Sequence, residues 1–213
     1  YGLGAESIWY DEYYSWFISS SGISKIFDSV SNDYHPPLYY ILLNFWLDIF
    51  EDTEFNIRLL SVFTGIFSAA AIFFSLKYLY DDRSALLASL FMAFSPLAYT
   101  IDTEARMYSL LTLLAIISNF SFYAMIKNGS KASRIIYVIS TVLMLYTHGF
   151  AFIILFVQLL YLLINFDKRL FPERFKYLAI SILFYLPFLF VFIGQIENLN
   201  RYFWVHNKDP LFI

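Results

Sequence analysis

The amino-acid sequence predicts an all-α protein built as a polytopic bundle of transmembrane helices, and three observations predict it. Hydrophobic residues fill 60% of the 213 positions and charged residues only 15%, against about 25% charged in ordinary globular chains. Charge-free windows of 18 to 20 residues recur at Leu59–Leu76, Ser84–Ile101, Met107–Ile126, Gly149–Phe166 and Tyr177–Ile196, each near the roughly 20 residues that cross about 30 Å of hydrocarbon. The alternation with period two that a membrane β-barrel needs is absent.

The elements follow in order. Residues 1–56 form a polar and aromatic region outside the membrane. Within it, Pro36–Leu47 is apolar but shorter than a span and follows a Pro-Pro pair suited to a helix start, so it reads as a juxtamembrane helix. Six crossings are then expected, at 57–79, 84–101, 106–126, 135–147, 149–166 and 177–195. The fourth and fifth come from dividing one apolar stretch, Ile135 to Phe166. As a single helix it would measure about 45 Å at about 1.5 Å per residue, too long for one bilayer. The break is set at His148–Gly149, with the turn below the membrane surface at the floor of a cavity. A polar outer segment, 196–213, closes the chain. No repeat or flexible linker divides 1–213, which reads as one domain. It begins at Tyr1 without a Met and reads as part of a longer protein.

Charge orients the bundle. The loops at 77–83, 127–134 and 167–176 hold nine of the 14 basic residues, whereas the opposite set holds 13 of the 17 acids. The positive-inside rule therefore makes the first set cytoplasmic and the second extracytoplasmic. Counting Pro36–Leu47 as a span would scramble that partition. The absence of cysteine excludes disulfides, thiolate metal sites, a thiol nucleophile and a palmitoyl anchor. Membrane lipids are the expected surroundings, and nucleic acid is not an expected partner.

The polar residues with chemical potential all fall on the outer side: Asp11, Glu12, His35, Asp102, Glu104, Arg106, His148 and His206. Transporters place ionisable groups at the midplane of broken helices, and these spans are clean there. Asp11-Glu12 lies between Ile8-Trp9-Tyr10 and Tyr13-Tyr14-Ser15-Trp16-Phe17. A carboxylate beside such a surface can gain proton affinity and serve as a base, or it can simply favour a helix N-terminus. His35 precedes a rigid Pro36-Pro37 pair, as a potential cation or as a turn residue. Arg106, in Glu104-Ala-Arg106-Met-Tyr108, suits a headgroup anchor, a surface ion pair or a phosphate clamp. His148 interrupts a long apolar stretch and needs a partner or a wet cavity. Trp204 and His206 sit in an outer aromatic segment that reads as an interfacial belt.

In order and content, Asp11-Glu12, His35-Pro-Pro-Leu-Tyr-Tyr40, Arg58-Leu-Leu-Ser61, Ser95-Pro96, Glu104-Ala-Arg106-Met-Tyr108 and Thr147-His148 resemble the dolichyl-phosphate-mannose protein mannosyltransferase-like group of GT-C glycosyltransferases. The resemblance covers nearly the whole chain. It implies a GT-C-like membrane domain that moves a sugar from a polyprenyl-phosphate donor to a protein, lipid or glycan acceptor on the extracytoplasmic or lumenal face. It further implies that Asp11, with Glu12 beside it, supplies the catalytic base, and that His35, Arg106, Tyr108 and, more loosely, His148 lie near the donor phosphate.

The residue types agree with that chemistry. Displacing a polyprenyl phosphate from an anomeric carbon needs a base on one face and cations for the phosphate on the other, and one such displacement inverts the centre. No His/Asp spacing marks a divalent metal site, although Asp11, Glu12, Asp102 and Glu104 could meet in space. No cofactor is expected. Two other readings stand beside this one: a non-catalytic subunit that binds the lipid carrier, and a transporter, which the clean midplanes disfavour.

Overall fold

The computed structural model describes residues 3–32 and 35–202, so Trp204 and His206 lie outside the described residues. Every regular element among them is helical. Three short helices, α1 (Tyr10–Ser20), α2 (Ile23–Asn32) and α3 (Leu38–Leu47), precede α4 (Glu54–Leu79). There follow α5 (Asp82–Ala93), α6 (Pro96–Thr103), α7 (Tyr108–Asn128), α8 (Lys131–Leu145), α9 (Ala151–Ile164) and α10 (Phe171–Tyr202).

Local chemistry sets the boundaries. The Thr53 hydroxyl accepts the Asn56 N–H at 3.3 Å at the start of α4, and the Asp81 carboxylate accepts those of Arg83 and Ser84 at 2.8 and 3.0 Å ahead of α5. Both are N-caps that satisfy donors the helix itself leaves open. Gly129 ends α7 at φ +59°, in the left-handed region that side chains with a Cβ resist. Ser130 then caps α8.

The span expected at 84–101 is not one straight helix. It breaks into α5 and α6, bent by 58°. Pro96 lacks an N–H and disfavours helical backbone at the residue before it. Ser95 is accordingly extended (ψ 126°) and its hydroxyl accepts the Ala98 N–H at 3.4 Å, starting a new helix. The break expected at His148–Gly149 is present, as a turn joining α8 to α9.

Length and composition support three crossings among the described residues, at Glu54–Leu79, Tyr108–Asn128 and Phe171–Val191, or four if the bent α5–α6 pair is one span. The expected count of six is not confirmed. Helices α8 and α9 have 15 and 14 residues, about 21–23 Å at about 1.5 Å per residue, short of a bilayer core. Helix α3, with ten residues, covers only about 15 Å by the same rise and buries Tyr39, Tyr40 and Leu43 against its neighbours.

Helix α7 occupies the centre, packed chiefly on α4 and α8. The interfaces are lined with small polar residues: Ser61, Ser68, Ser109, Ser118, Ser140 and Thr141 are buried. Small side chains let helices approach closely, and their hydroxyls bond across the gap. Large apolar residues such as Phe67, Phe91 and Phe190 face outward, as lipid contact requires. One polar cluster is fully internal. Tyr137 donates to Gln158 Oε1 at 2.9 Å, Gln158 Nε2 donates to Ser118 at 3.2 Å, and Ser118 meets Thr141 at 2.9 Å, tying α7, α8 and α9 together. Gln158→Leu removes the acceptor of the Tyr137 hydroxyl, and its expected cost is about 1 kcal/mol, the scale of such bonds in membranes. Reversible unfolding in detergent measures it, and Tyr137→Phe added to Gln158→Leu should then cost little more.

Candidate active site

The site is assembled around a buried ion pair. Glu12, in the first turn of α1, is 1% exposed, and Arg58, one turn into α4, is 7% exposed. Arg58 Nε donates to Glu12 Oε1 at 2.8 Å and Nη2 to Oε2 at 2.7 Å, the bidentate geometry that carboxylate and guanidinium favour. The remaining guanidinium hydrogens go to backbone carbonyls of the N-terminal segment: Nη1 to Leu3 and Glu6, at 2.7 and 2.8 Å, and Nη2 to Ser7 at 3.3 Å. Glu12 also accepts the backbone N–H of Trp9 at 3.3 Å and of Ala105 at 2.9 Å. Burial opposes its charge, but the bonds from Arg58 and from the Ala105 and Trp9 amides outweigh burial and hold its pKa below the usual carboxylate value.

Asp11, the neighbouring residue, is turned outward. Its Oδ2 meets Arg106 Nη1 at 2.5 Å, and both side chains are partly exposed. The Arg106 guanidinium lies over the Trp9 ring at 5.4 Å and over the Tyr108 ring at 4.9 Å, within reach of a cation–π contact with each. Arg106 Nε is buried, and no described group accepts from it. Tyr108 in turn leads to a histidine pair, with ring centroids 5.4 Å apart for Tyr108 and His148 and 5.3 Å for His35 and His148. His35 reaches this place because the Leu38 N–H donates to the Tyr146 carbonyl at 3.0 Å, docking the start of α3 on the end of α8. His148 Nδ1 accepts the Phe150 N–H at 3.0 Å, which leaves the ring proton on Nε2. Burial, with the neighbouring His35 and Arg106 adding to it, lowers the His148 pKa to about 4.

The acids divide. Glu104 lines a cleft of about 740 Å³ together with Trp9, Glu12, Arg58, Tyr99 and Thr103. Burial raises its pKa, and Arg106 offsets part of that rise. Asp11 and Arg106 do not line this cleft, although Trp9, on which Arg106 packs, does. Asp102 turns away from both. Its Oδ1 accepts from the Ser109 hydroxyl at 2.7 Å, and its carboxylate rests on Gly65, where an added Cβ would collide with it. Among the described residues no three His, Asp or Glu side chains gather as a group able to hold a metal, so Asp11, Glu12, Asp102 and Glu104 do not meet as one ligand set.

Residues 34–193, well over half of the chain, match the profile of the dolichyl-phosphate-mannose-protein mannosyltransferase family. The chain belongs to that family. Membership makes it a multi-pass membrane glycosyltransferase of the GT-C type, mannosyltransferase-like in kind. No curated protein and no solved structure matches the chain. The segment matched to the mannosyltransferases takes in His35, Arg58, Asp102, Glu104, Arg106, Tyr108 and His148; Asp11 and Glu12 precede it.

Of the residues singled out from sequence, Asp11, Glu12, Glu104, Arg106, Tyr108, His35 and His148 are brought to one end of the bundle, and Asp102 stands apart. Sequence reading gave no role to Arg58 or Trp9. A signal for Arg58 did exist: a cation at the edge of a charge-free span requires a carboxylate partner, although the sequence does not say which one.

Two outcomes are expected for this mannosyltransferase-family site. Glu12→Ala strands the Arg58 charge and should cost about 3–5 kcal/mol; adding Arg58→Ala should recover part of that loss, whereas purely additive unfolding energies would remove the pair from its structural role. For His148 the folded pKa, about 4, lies below its unfolded value of 6.5, so the unfolded chain takes up the proton first. The resulting stability is complete above about pH 6.5 and is lost as pH falls towards 4. Thermal melts in detergent should therefore drop between pH 6.5 and 5 in the parent protein, and less in His148→Gln.

Proposed function

We propose that the protein transfers a sugar from a polyprenyl-phosphate carrier to an acceptor hydroxyl on the extracytoplasmic face, with inversion, and that Asp11 is the general base. The observation that supports this most is the state of Arg106. One nitrogen of its guanidinium meets Asp11, the group packs on the Trp9 and Tyr108 rings, and its buried Nε has no acceptor among the described residues. A guanidinium edge with a buried, unused donor suits a phosphate oxygen.

In the proposed reaction the acceptor oxygen attacks the anomeric carbon while its proton passes to the Asp11 carboxylate. The bond from that carbon to the phosphate oxygen breaks, and its electron pair leaves with the polyprenyl phosphate. Arg106 meets the charge that the leaving phosphate carries. His35 and the Nε2–H of His148, next to Tyr108, are further donors for the same phosphate. Glu12, with its oxygens taken up by Arg58, Trp9 and Ala105, is a positioning residue that aims Asp11. Family membership favours a mannosyl donor and a protein acceptor; a lipid or glycan acceptor uses the same hydroxyl chemistry. The acidic, aromatic loops lie on the extracytoplasmic side in this reading because the basic residues gather at the other.

Asp11→Asn keeps shape and removes the proton acceptor. In the full-length enzyme it should lower turnover by about 10²–10⁴ at saturating donor and acceptor while leaving donor binding largely intact. Arg106→Ala should weaken donor binding as well as turnover, because the phosphate is anionic before and after transfer. Near-normal turnover of Asp11→Asn would move the base to another acid at this end, Glu104 first among them.

A further inference from the structure

At the opposite end of α7 lies a second pocket that the proposed reaction does not use. Helix α7 has 21 residues, so this pocket is about 30 Å from Arg106 at about 1.5 Å per residue. It has a volume of about 280 Å³ and is formed by the end of α7, the start of α8 and the first turns of α10. Lys127, Arg134 and Arg174 line it against one acid, Glu173, while Ile126, Leu170 and Tyr177 give it an apolar wall.

The cations are arranged, not scattered. Arg134 Nη2 pairs with Glu173 at 2.6 Å, and its guanidinium lies over Tyr177 at 5.5 Å. Arg174 Nη2 donates to the Ile126 carbonyl at 3.3 Å, which fixes its head at the pocket wall with other hydrogens uncommitted. The Lys127 ammonium rests 5.9 and 5.7 Å from the Tyr78 and Tyr123 rings, and no described carboxylate pairs with it. Helix α8 begins here without an acid in its first turn, so its N-terminal partial charge adds to the positive field.

We propose that this pocket binds the phosphate headgroup of an anionic glycerophospholipid from the leaflet on the basic side of the membrane. Three cations against one carboxylate select an anion, and the pocket opens where a lipid headgroup lies. The source is a lipid and not a soluble phosphate because the cations adjoin apolar surface. Leu170, in the pocket's apolar wall with Ile126 and Tyr177, is exposed, offering acyl chains a contact that a free phosphate would leave bare. The loops on this side hold nine of the 14 basic residues, which concentrates anionic lipid there before any specific contact forms.

The test uses the whole protein in nanodiscs, with Tyr177→Trp as a reporter that keeps an aromatic face for Arg134. Brominated phosphatidylglycerol and brominated phosphatidylcholine are titrated separately as quenchers, and the signal of the parent protein, whose described tryptophans Trp9, Trp16 and Trp46 do not line this pocket, is subtracted. Quenching is expected at a severalfold lower mole fraction of phosphatidylglycerol. Lys127→Gln, an exposed position whose loss leaves the packing intact, should reduce that preference by up to about fivefold, the worth of one basic residue near a lipid surface. Equal quenching by the two lipids, or a preference that survives both Lys127→Gln and Arg174→Gln undiminished, overturns the proposal. Displacement of phosphatidylglycerol by millimolar inorganic phosphate overturns its lipid assignment in favour of a soluble phosphate. If Tyr177→Trp disturbs the fold, native mass spectrometry of the unsubstituted protein and Lys127→Gln, counting retained phosphatidylglycerol, gives the same decision.

Discussion

The buried pair of Glu12 and Arg58 organises everything at the polar end of the bundle. A guanidinium one turn inside an apolar helix is tolerated only when its charge and its donors are all answered, and answering them draws in distant chain. The N-terminal segment supplies three carbonyls, α1 supplies the carboxylate, and that carboxylate reaches the Ala105 amide, 93 residues away. Position then passes to the neighbours. Asp11 precedes Glu12 and Arg106 follows Ala105, so the bond that joins Glu12 to Ala105 brings Asp11 and Arg106 face to face. The exposed, chemically available pair is aligned by the concealed one beside it.

The break between α5 and α6 serves the same end. The bend at Ser95-Pro96 turns α6 so that Asp102 seats on Gly65 of α4 and accepts from Ser109 of α7, with the Ser109 oxygen also 2.8 Å from the Ser61 carbonyl and accepting from the Thr64 hydroxyl. The absence of a side chain at Gly65 is what admits the carboxylate. Asp102 therefore belongs to the frame that holds the loop of Glu104–Met107 over the Glu12–Arg58 pair, which explains why it lies close in sequence to the site yet outside it.

Much of this was legible in the sequence because it is carried by local patterns. Charge-free windows mark apolar helices whatever their partners, a histidine followed by glycine in an apolar stretch marks a turn, and the gathering of ionisable residues at one end follows once the loops are drawn. What was not legible depends on long-range pairing. Nothing in Arg58-Leu-Leu-Ser says that its partner lies 46 residues earlier, and Asp11 and Glu12, adjacent and equal in charge, take different places because different sides of α1 meet the bundle. The count of crossings also ran ahead of the structure. A charge-free window does not reveal where Pro96 divides it, and the stretch containing His148 separates into two helices that are each shorter than a bilayer core.

The two ends of α7 carry cations for opposite electrostatic reasons. Lys127, in its last turn, is where the partial negative charge of a helix terminus favours a cation. Arg106, two residues before its first turn, faces the positive terminus, where a cation is disfavoured. Met107 gives that terminus no side-chain cap, so its open amides add to the field of the guanidinium. Arg106 stays there because Asp11 neutralises one edge and the group packs on the Trp9 and Tyr108 rings. An arrangement that holds a cation against a helix dipole is unfavourable when empty and favourable to an anion that can meet both the guanidinium and the terminus. A sugar phosphate is such an anion, which gives the proposed reading an electrostatic reason for Arg106 to stand at this position and not a turn further along.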